Sequence, residues 1–179
     1  SHEPWVVPIH RFSDERLNGF AYLDDCIGHF INRIKKSPQW KNMLVIFLPD
    51  HGIKFENIEE TDQLRNHIPM IWTGGAIKKA RRVNQICNQS DLPATLLGQL
   101  GIKHHEFTFS RDVMSSNYVY PFAVHTYSDG ISTVDSTGFT VYDLNSKKAI
   151  VGVPSHNQHR EDLGKAVLQT AGKDLKNRK

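Results

Sequence analysis

Residues 43–52, MLVIFLPDHG, constrain the fold of this chain more than any other stretch. Six consecutive apolar side chains, Met43 to Leu48, are too short a run for a helix of their own and lack polar alternation. They read as a β-strand buried on both faces, which requires structural layers above and below it. The run stops at Pro49 and is followed at once by a carboxylate, an imidazole and a glycine, Asp50-His51-Gly52.

The neighbouring segments supply those layers. Leu17, Phe20, Leu23, Ile27, Phe30, Ile31 and Ile34 recur at spacings of three and four, which predicts an amphipathic helix across 13–37. Ser13 or Asp14 caps it, Lys35-Lys36 face its dipole, and Ser37-Pro38 stops it. A second buried strand is expected from Ile68 to Thr73, paired in parallel with the first, and a polar surface loop from Ile53 to Asn66 lies between them. SDLPATLLGQLG predicts a short helix with Ser90 or Asp91 near its cap and Gly101 at its end. After Tyr118, β-rich runs broken by Ser-Asp-Gly, Ser-Thr-Gly and Leu-Asn-Ser-Lys predict an antiparallel meander of three or four strands. The expected architecture is therefore a layered α/β fold with a C-terminal antiparallel meander. The main domain is expected over 1–152, and 153–179 reads as a weakly helical or disordered tail.

Composition narrows the function classes. The formal charge of +3 is mild and its basic residues are scattered, which argues against a nucleic-acid surface; the terminal KDLKNRK reads as a frayed, solvated end. No apolar run approaches the roughly 20 residues of a membrane span. Cys26 and Cys87 have no metal or disulfide spacing and lie among apolar neighbours, so both are expected as buried free thiols. The phenylalanines and tryptophans fall at spacings that suggest core. Ten histidines are many for 179 residues and direct attention to metal or phosphate chemistry.

In layered α/β folds, ligands gather beyond the carboxyl ends of central strands, where Asp50-His51 stands. Their hard oxygen and borderline nitrogen suit a divalent ion such as Zn²⁺ or Mn²⁺, and Gly52 lets the backbone turn sharply. Two adjacent residues cannot complete a coordination sphere, so further ligands must come from distant sequence. By itself Asp-His-Gly is equally compatible with a plain turn. His67, two before Pro69, has two readings: a residue at the rim of the same cleft, or one bonded to a loop carbonyl. His104-His105 reads as solvated loop and His125, in AVHTY, as a partly buried structural residue.

The ordered set SHEPW, YLDDCIGHFINRIKKSPQWKNMLVIFLPDHG, NHIPMIWTGG, QSDLPATLLGQLGI and FSRDV resembles the C-terminal half of the catalytic domain of the sulfatase and alkaline phosphatase superfamily, over roughly residues 1–145. The pattern is most similar to lipoteichoic-acid-synthase-like phosphoglycerol transferases, with phosphoethanolamine transferases as cousins. That resemblance implies an α/β/α alkaline-phosphatase-like partial domain in which Asp50 and His51 hold a divalent metal (Mn, Zn, Mg or Ca). It implies that His2, in Ser-His-x-Pro, contacts the transferred phosphate; a merely terminal residue is the other reading of His2.

The nucleophile and an acidic metal ligand of such enzymes lie upstream of the Ser-His motif, and no residue here has the C/S-x-P-x-R context of a sulfatase nucleophile. The fragment alone is therefore expected to be inactive, with metal bound weakly or not at all. The parent activity implied is transfer of a phospho-alcohol group from a lipid-linked phosphodiester, at the outer side of the cytoplasmic membrane, with membrane contact only through upstream segments. Hydrolysis of a soluble sulfate or phosphate ester is the alternative reaction. A binding module with a degenerate site is the alternative of a different class.

Overall fold

The computed structural model describes residues 5–52 and 58–178. Helix α1 spans Glu15–Ile34, and the Asp14 side chain caps it by accepting the Arg16 amide. Asn18 turns back over this entry: its carboxamide oxygen accepts the Arg11 and Phe12 amides and its nitrogen donates to the Phe12 carbonyl. Leu17, Phe20, Leu23 and Phe30, the expected core stripe, keep 36–41 % exposure. Gly28 lies on this helix with no atom within 4 Å of where a Cβ would stand. Gly28→Ala is thus expected to raise stability by about 0.5–1 kcal/mol, read from the denaturant midpoint.

The apolar run forms β1, Val45–Phe47, and the second run forms β2, Ile71–Thr73. They pair antiparallel, with Val45 opposite Thr73 and Phe47 opposite Ile71. This corrects the expected parallel pairing and puts the exit of β1 beside the entry of β2. It also corrects the expected double burial, because β1 is half-buried throughout. Among the described residues β1 has β2 as its one ladder partner.

The remaining strands are β3 (Phe122–Tyr127), β4 (Gly130–Asp135), β5 (Gly138–Asp143) and β6 (Lys148–Gly152), an antiparallel meander in that order. Its turns fall at Ser128-Asp129, Ser136-Thr137 and Leu144–Lys147, where the sequence placed them. Helix α2 (Leu92–Gln99) continues a 3₁₀ turn at Gln89–Asp91. The cap of the combined helix is Asn88, in a capping box with Asp91, rather than Ser90 or Asp91 alone.

Two motifs remote in sequence meet here. Arg111 of FSRDV donates from Nε and Nη2 to Asp91 of QSDLPAT at 3.0 and 2.6 Å, and from Nη2 to the Phe122 carbonyl at 2.8 Å. Its guanidinium lies 3.9 Å from the Phe122 ring centre. Asn88 then binds the edge of β3 in both directions, accepting the Val124 amide and donating to its carbonyl. Both motifs therefore hold α2 to the sheet.

The segment expected to be a weakly helical or disordered tail is helical, α3, Asn157–Asn177, and it is packed on the sheet where loose packing was expected. It packs on β4 and β5 so closely that a Cβ on Gly164 would come within 2.6 Å of the Thr133 hydroxyl. Arg160, fully buried, fixes it to the sheet. The chain divides into two units, one formed by the chain up to Pro49 with Pro69–Arg81 and the other by Asp50–Ile68 with Arg82–Lys179. The expected boundary at 152 does not coincide with this division, since α3 belongs with the meander.

The buried apolar residues among those described are Ala94, Val113, Ile131, Val141 and Tyr142, all in the second unit. No phenylalanine or tryptophan is among them, contrary to expectation: Phe12, Phe107 and Phe109 lie outside regular elements and are exposed. Cys26 is exposed on α1, which corrects the expected burial; Cys87 is half-buried, and burial raises its thiol pKa, with Asp91 adding to the effect and Arg111 opposing it.

Candidate metal centre

Pro49 ends the extended backbone and Asp50 opens the second unit. The Asp50 carboxylate accepts the His51 amide through Oδ1 at 3.1 Å, which turns Oδ2 toward the imidazole. Oδ2 and His51 Nε2 stand 3.7 Å apart on an open surface, the two side chains being 90 % and 69 % exposed. The other ring nitrogen, Nδ1, lies 2.6 Å from the Gly52 carbonyl oxygen. A carbonyl can only accept, so Nδ1 carries the proton and donates it there; in the neutral ring this leaves the Nε2 lone pair beside the carboxylate. This is how metal-ligating histidines are usually oriented.

The donor set fits a divalent ion. Two donors about 2.1 Å from a tetrahedral ion lie roughly 3.4 Å apart, close to the separation of Oδ2 and Nε2. Among the described residues no group of three or more His, Cys, Asp or Glu converges to complete such a site. Asp50 and His51 thus offer part of a coordination sphere.

Gly52 fixes what lies beside them. A Cβ there would stand 1.7 Å from the Arg65 carbonyl oxygen, so only glycine allows the 3₁₀ turn Gln63–Asn66 to lie against the Asp-His turn. Asp62 caps that turn by accepting the Leu64 amide at 2.8 Å. Between this turn and the end of β3 is a cleft of about 400 Å³, lined by His51, Gly52, Glu60, Arg65, Asn66 and by residues 125–128. His125 and Tyr127 share one face of β3. Burial lowers the His125 pKa, the Arg65 charge lowers it further and Glu60 opposes them. Burial raises that of the Tyr127 phenol, with Asp143, Asp129 and Glu60 adding to it.

The sequence-derived candidates are therefore distributed unevenly. Asp50 and His51 are together; His67 is exposed at the end of the 3₁₀ turn, donating its amide to the Leu64 carbonyl, and is not among the residues lining the cleft. His2 lies outside the described residues, as does part of the expected 53–66 loop. The sequence reading missed Arg65 and Glu60, which sit in a polar stretch without a motif, and treated His125 as structural. No spacing rule connects residue 125 with residue 51; only the return of β3 does.

Comparison with known proteins agrees with this architecture. The fold is similar to that of an alkaline phosphatase superfamily protein from Vibrio parahaemolyticus, with a TM-score of 0.78 and 23 % identity, over 99 % of this chain and 47 % of that one. The chain thus spans about half the length of that protein. Residues 8–102, which carry α1, β1, the Asp-His pair and α2, match the family described as Sulfatase. On that match, extending over more than half of its residues, the chain belongs to the sulfatase family.

Proposed function

We propose that this chain forms the Asp-His half of a metal centre in an extracytoplasmic transferase that moves a phosphoglycerol- or phosphoethanolamine-type group from a lipid-linked phosphodiester. The observation that carries this reading is the convergence of Asp50 Oδ2 and His51 Nε2 at 3.7 Å, with the imidazole tautomer set by the Gly52 carbonyl. The ordered motifs from SHEPW to FSRDV support the transferase branch over others in the family. Among the described residues no helix is long and apolar enough to cross a membrane.

A divalent ion held by Asp50 and His51 would polarise a phosphoryl oxygen and favour the deprotonated form of an attacking hydroxyl. Asp50 supplies negative charge that offsets part of the ion's own, and its bond to the His51 amide keeps that carboxylate from rotating away. The Gly52 carbonyl holds the His51 ring in place. His67 and His2 are retained as candidate substrate contacts. The same donors would serve ester hydrolysis, and the choice is decided by whether water or an alcohol accepts the group.

The test is a Mn²⁺ titration of the 179-residue chain followed by NMR. Paramagnetic broadening is expected to begin at Asp50 and His51, and Asp50→Ala is expected to weaken it at least tenfold, or about 1.4 kcal/mol. Broadening that starts elsewhere, for example at His104-His105, or that ignores the substitution, would refute the metal assignment and favour a binding module.

A further inference from the structure

The cleft beside His51 is lined by a cation. Arg65 lines it, and among the described residues no carboxylate pairs with its guanidinium, whereas the other arginines at the heart of this unit, Arg111 and Arg160, each have an aspartate. The backbone of Arg65 is pinned against Gly52, so the origin of its side chain is fixed next to the Asp-His turn.

Across the cleft stands His125, half-buried on β3 and close enough to Arg65 to feel its charge. Ser128 and Asn66, residues with hydroxyl and carboxamide groups, line the same cleft. A guanidinium, an imidazole and neutral donors around a space of about 400 Å³ match a tetrahedral oxyanion, whose several oxygens need several donors. Glu60 is the one carboxylate lining the cleft among the described residues, and it would repel an anion but accept a hydrogen bond from a hydroxyl or ammonium group on the alcohol attached to it.

We propose that Arg65 and His125 form an oxyanion-recognition wall that holds the non-reacting oxygens of the substrate's phosphoryl or sulfuryl group beside the Asp50-His51 pair. This rests on the metal-dependent ester-transfer reading above, and it assigns the substrate's charged group to a definite side of that centre. Arg65 supplies fixed charge. His125 donates one hydrogen bond when neutral and gains a charge when an anion arrives, so binding strengthens as pH falls through its titration, with Arg65 opposing that protonation and Glu60 favouring it.

The metal-free 179-residue chain titrated with inorganic phosphate, and separately with sulfate, provides the test. The His125 imidazole signals are expected to shift saturably and its titration to move to higher pH. Arg65→Ala is expected to weaken binding at least tenfold and Arg65→Lys to restore part of it; His125→Gln should remove the pH dependence. The packing of Gly52 is against the Arg65 backbone, so the alanine variant should retain the turn, checked by unchanged amide shifts at Asp50–Gly52. A response to phosphate stronger than to sulfate assigns the wall to phosphoryl groups, and the reverse to sulfuryl groups. Anion binding that is absent, insensitive to Arg65→Ala, or centred on Lys78–Arg82 overturns the proposal. The phosphate titration is run without metal and the Mn²⁺ titration without phosphate, so a failure of the one and a failure of the other are separate results.

Discussion

Replacing Arg160 with alanine is expected to destabilise the unit containing the meander by about 3–5 kcal/mol. The guanidinium is fully buried, and each of its five N–H groups meets an acceptor. Nε donates to Thr140 Oγ1 at 2.9 Å, Nη1 to Asp135 Oδ1 and Thr137 Oγ1 at 3.3 and 2.5 Å, and Nη2 to the carbonyls of Val153 and Ser155 at 2.6 Å each. One side chain thereby joins β4, β5, the segment after β6 and α3. Alanine at 160 strips the cation from Asp135, which is 5 % exposed, and orphans the two carbonyls.

The pH dependence follows from Asp135. Burial pushes its carboxyl up, but hydrogen bonds from Thr137 and Tyr120, together with the Arg160 charge, outweigh this and bring it from 3.8 down to about 2. A depressed folded-state pKa stabilises above the unfolded value and loses that contribution as pH falls through the folded value. The native chain should therefore lose stability between about pH 4 and 2, and the Arg160→Ala variant should begin its acid transition at higher pH. Urea melts across that range measure both effects, with hydrogen exchange in α3 as a local reporter. A loss below about 1 kcal/mol, or an unmoved acid transition, would contradict this account of how α3 is held.

The second large effect is expected at Gly52, where alanine should disrupt the candidate site while sparing the core. Its Cβ would overlap the Arg65 carbonyl oxygen, so either the Gln63–Asn66 turn or the Asp50-His51 turn must move by more than an ångström. Amide shifts should change at both turns and the Mn²⁺ response at His51 should fall at least tenfold. Chemical shifts in β4 and β5 should stay as they are. Gly28→Ala, in open space on α1, is the control that isolates the steric effect from helix propensity. Native-like shifts at residues 50–52 and 63–66 in the Gly52 variant would show that this close approach does not shape the site.

How much of this was legible beforehand depended on the range of the interactions involved. Helix α1, both short strands, α2 and the meander turns follow from periodicity and turn chemistry, which act over a few residues. The Asp50-His51 pair was legible for the same reason, since its geometry is set by bonds to the His51 amide and the Gly52 carbonyl. α3 was underestimated because its sequence is only weakly amphipathic; its buried residues are an arginine and a glycine, Arg160 and Gly164, and not an apolar stripe. The antiparallel pairing of β1 and β2 was missed because an apolar run specifies burial and not direction.

The sequence by itself determined the elements, their order, the family-like motifs and the adjacent carboxylate and imidazole. Only the tertiary structure decided which distant groups meet: Asp91 with Arg111, Asp135 with Arg160, and His51 with Arg65 and His125 around one cleft. The physical reason is that hydrogen-bonded local geometry leaves a signature in a few neighbouring residues. A buried ion pair or a cleft depends on where the backbone returns, and no local spacing encodes that return.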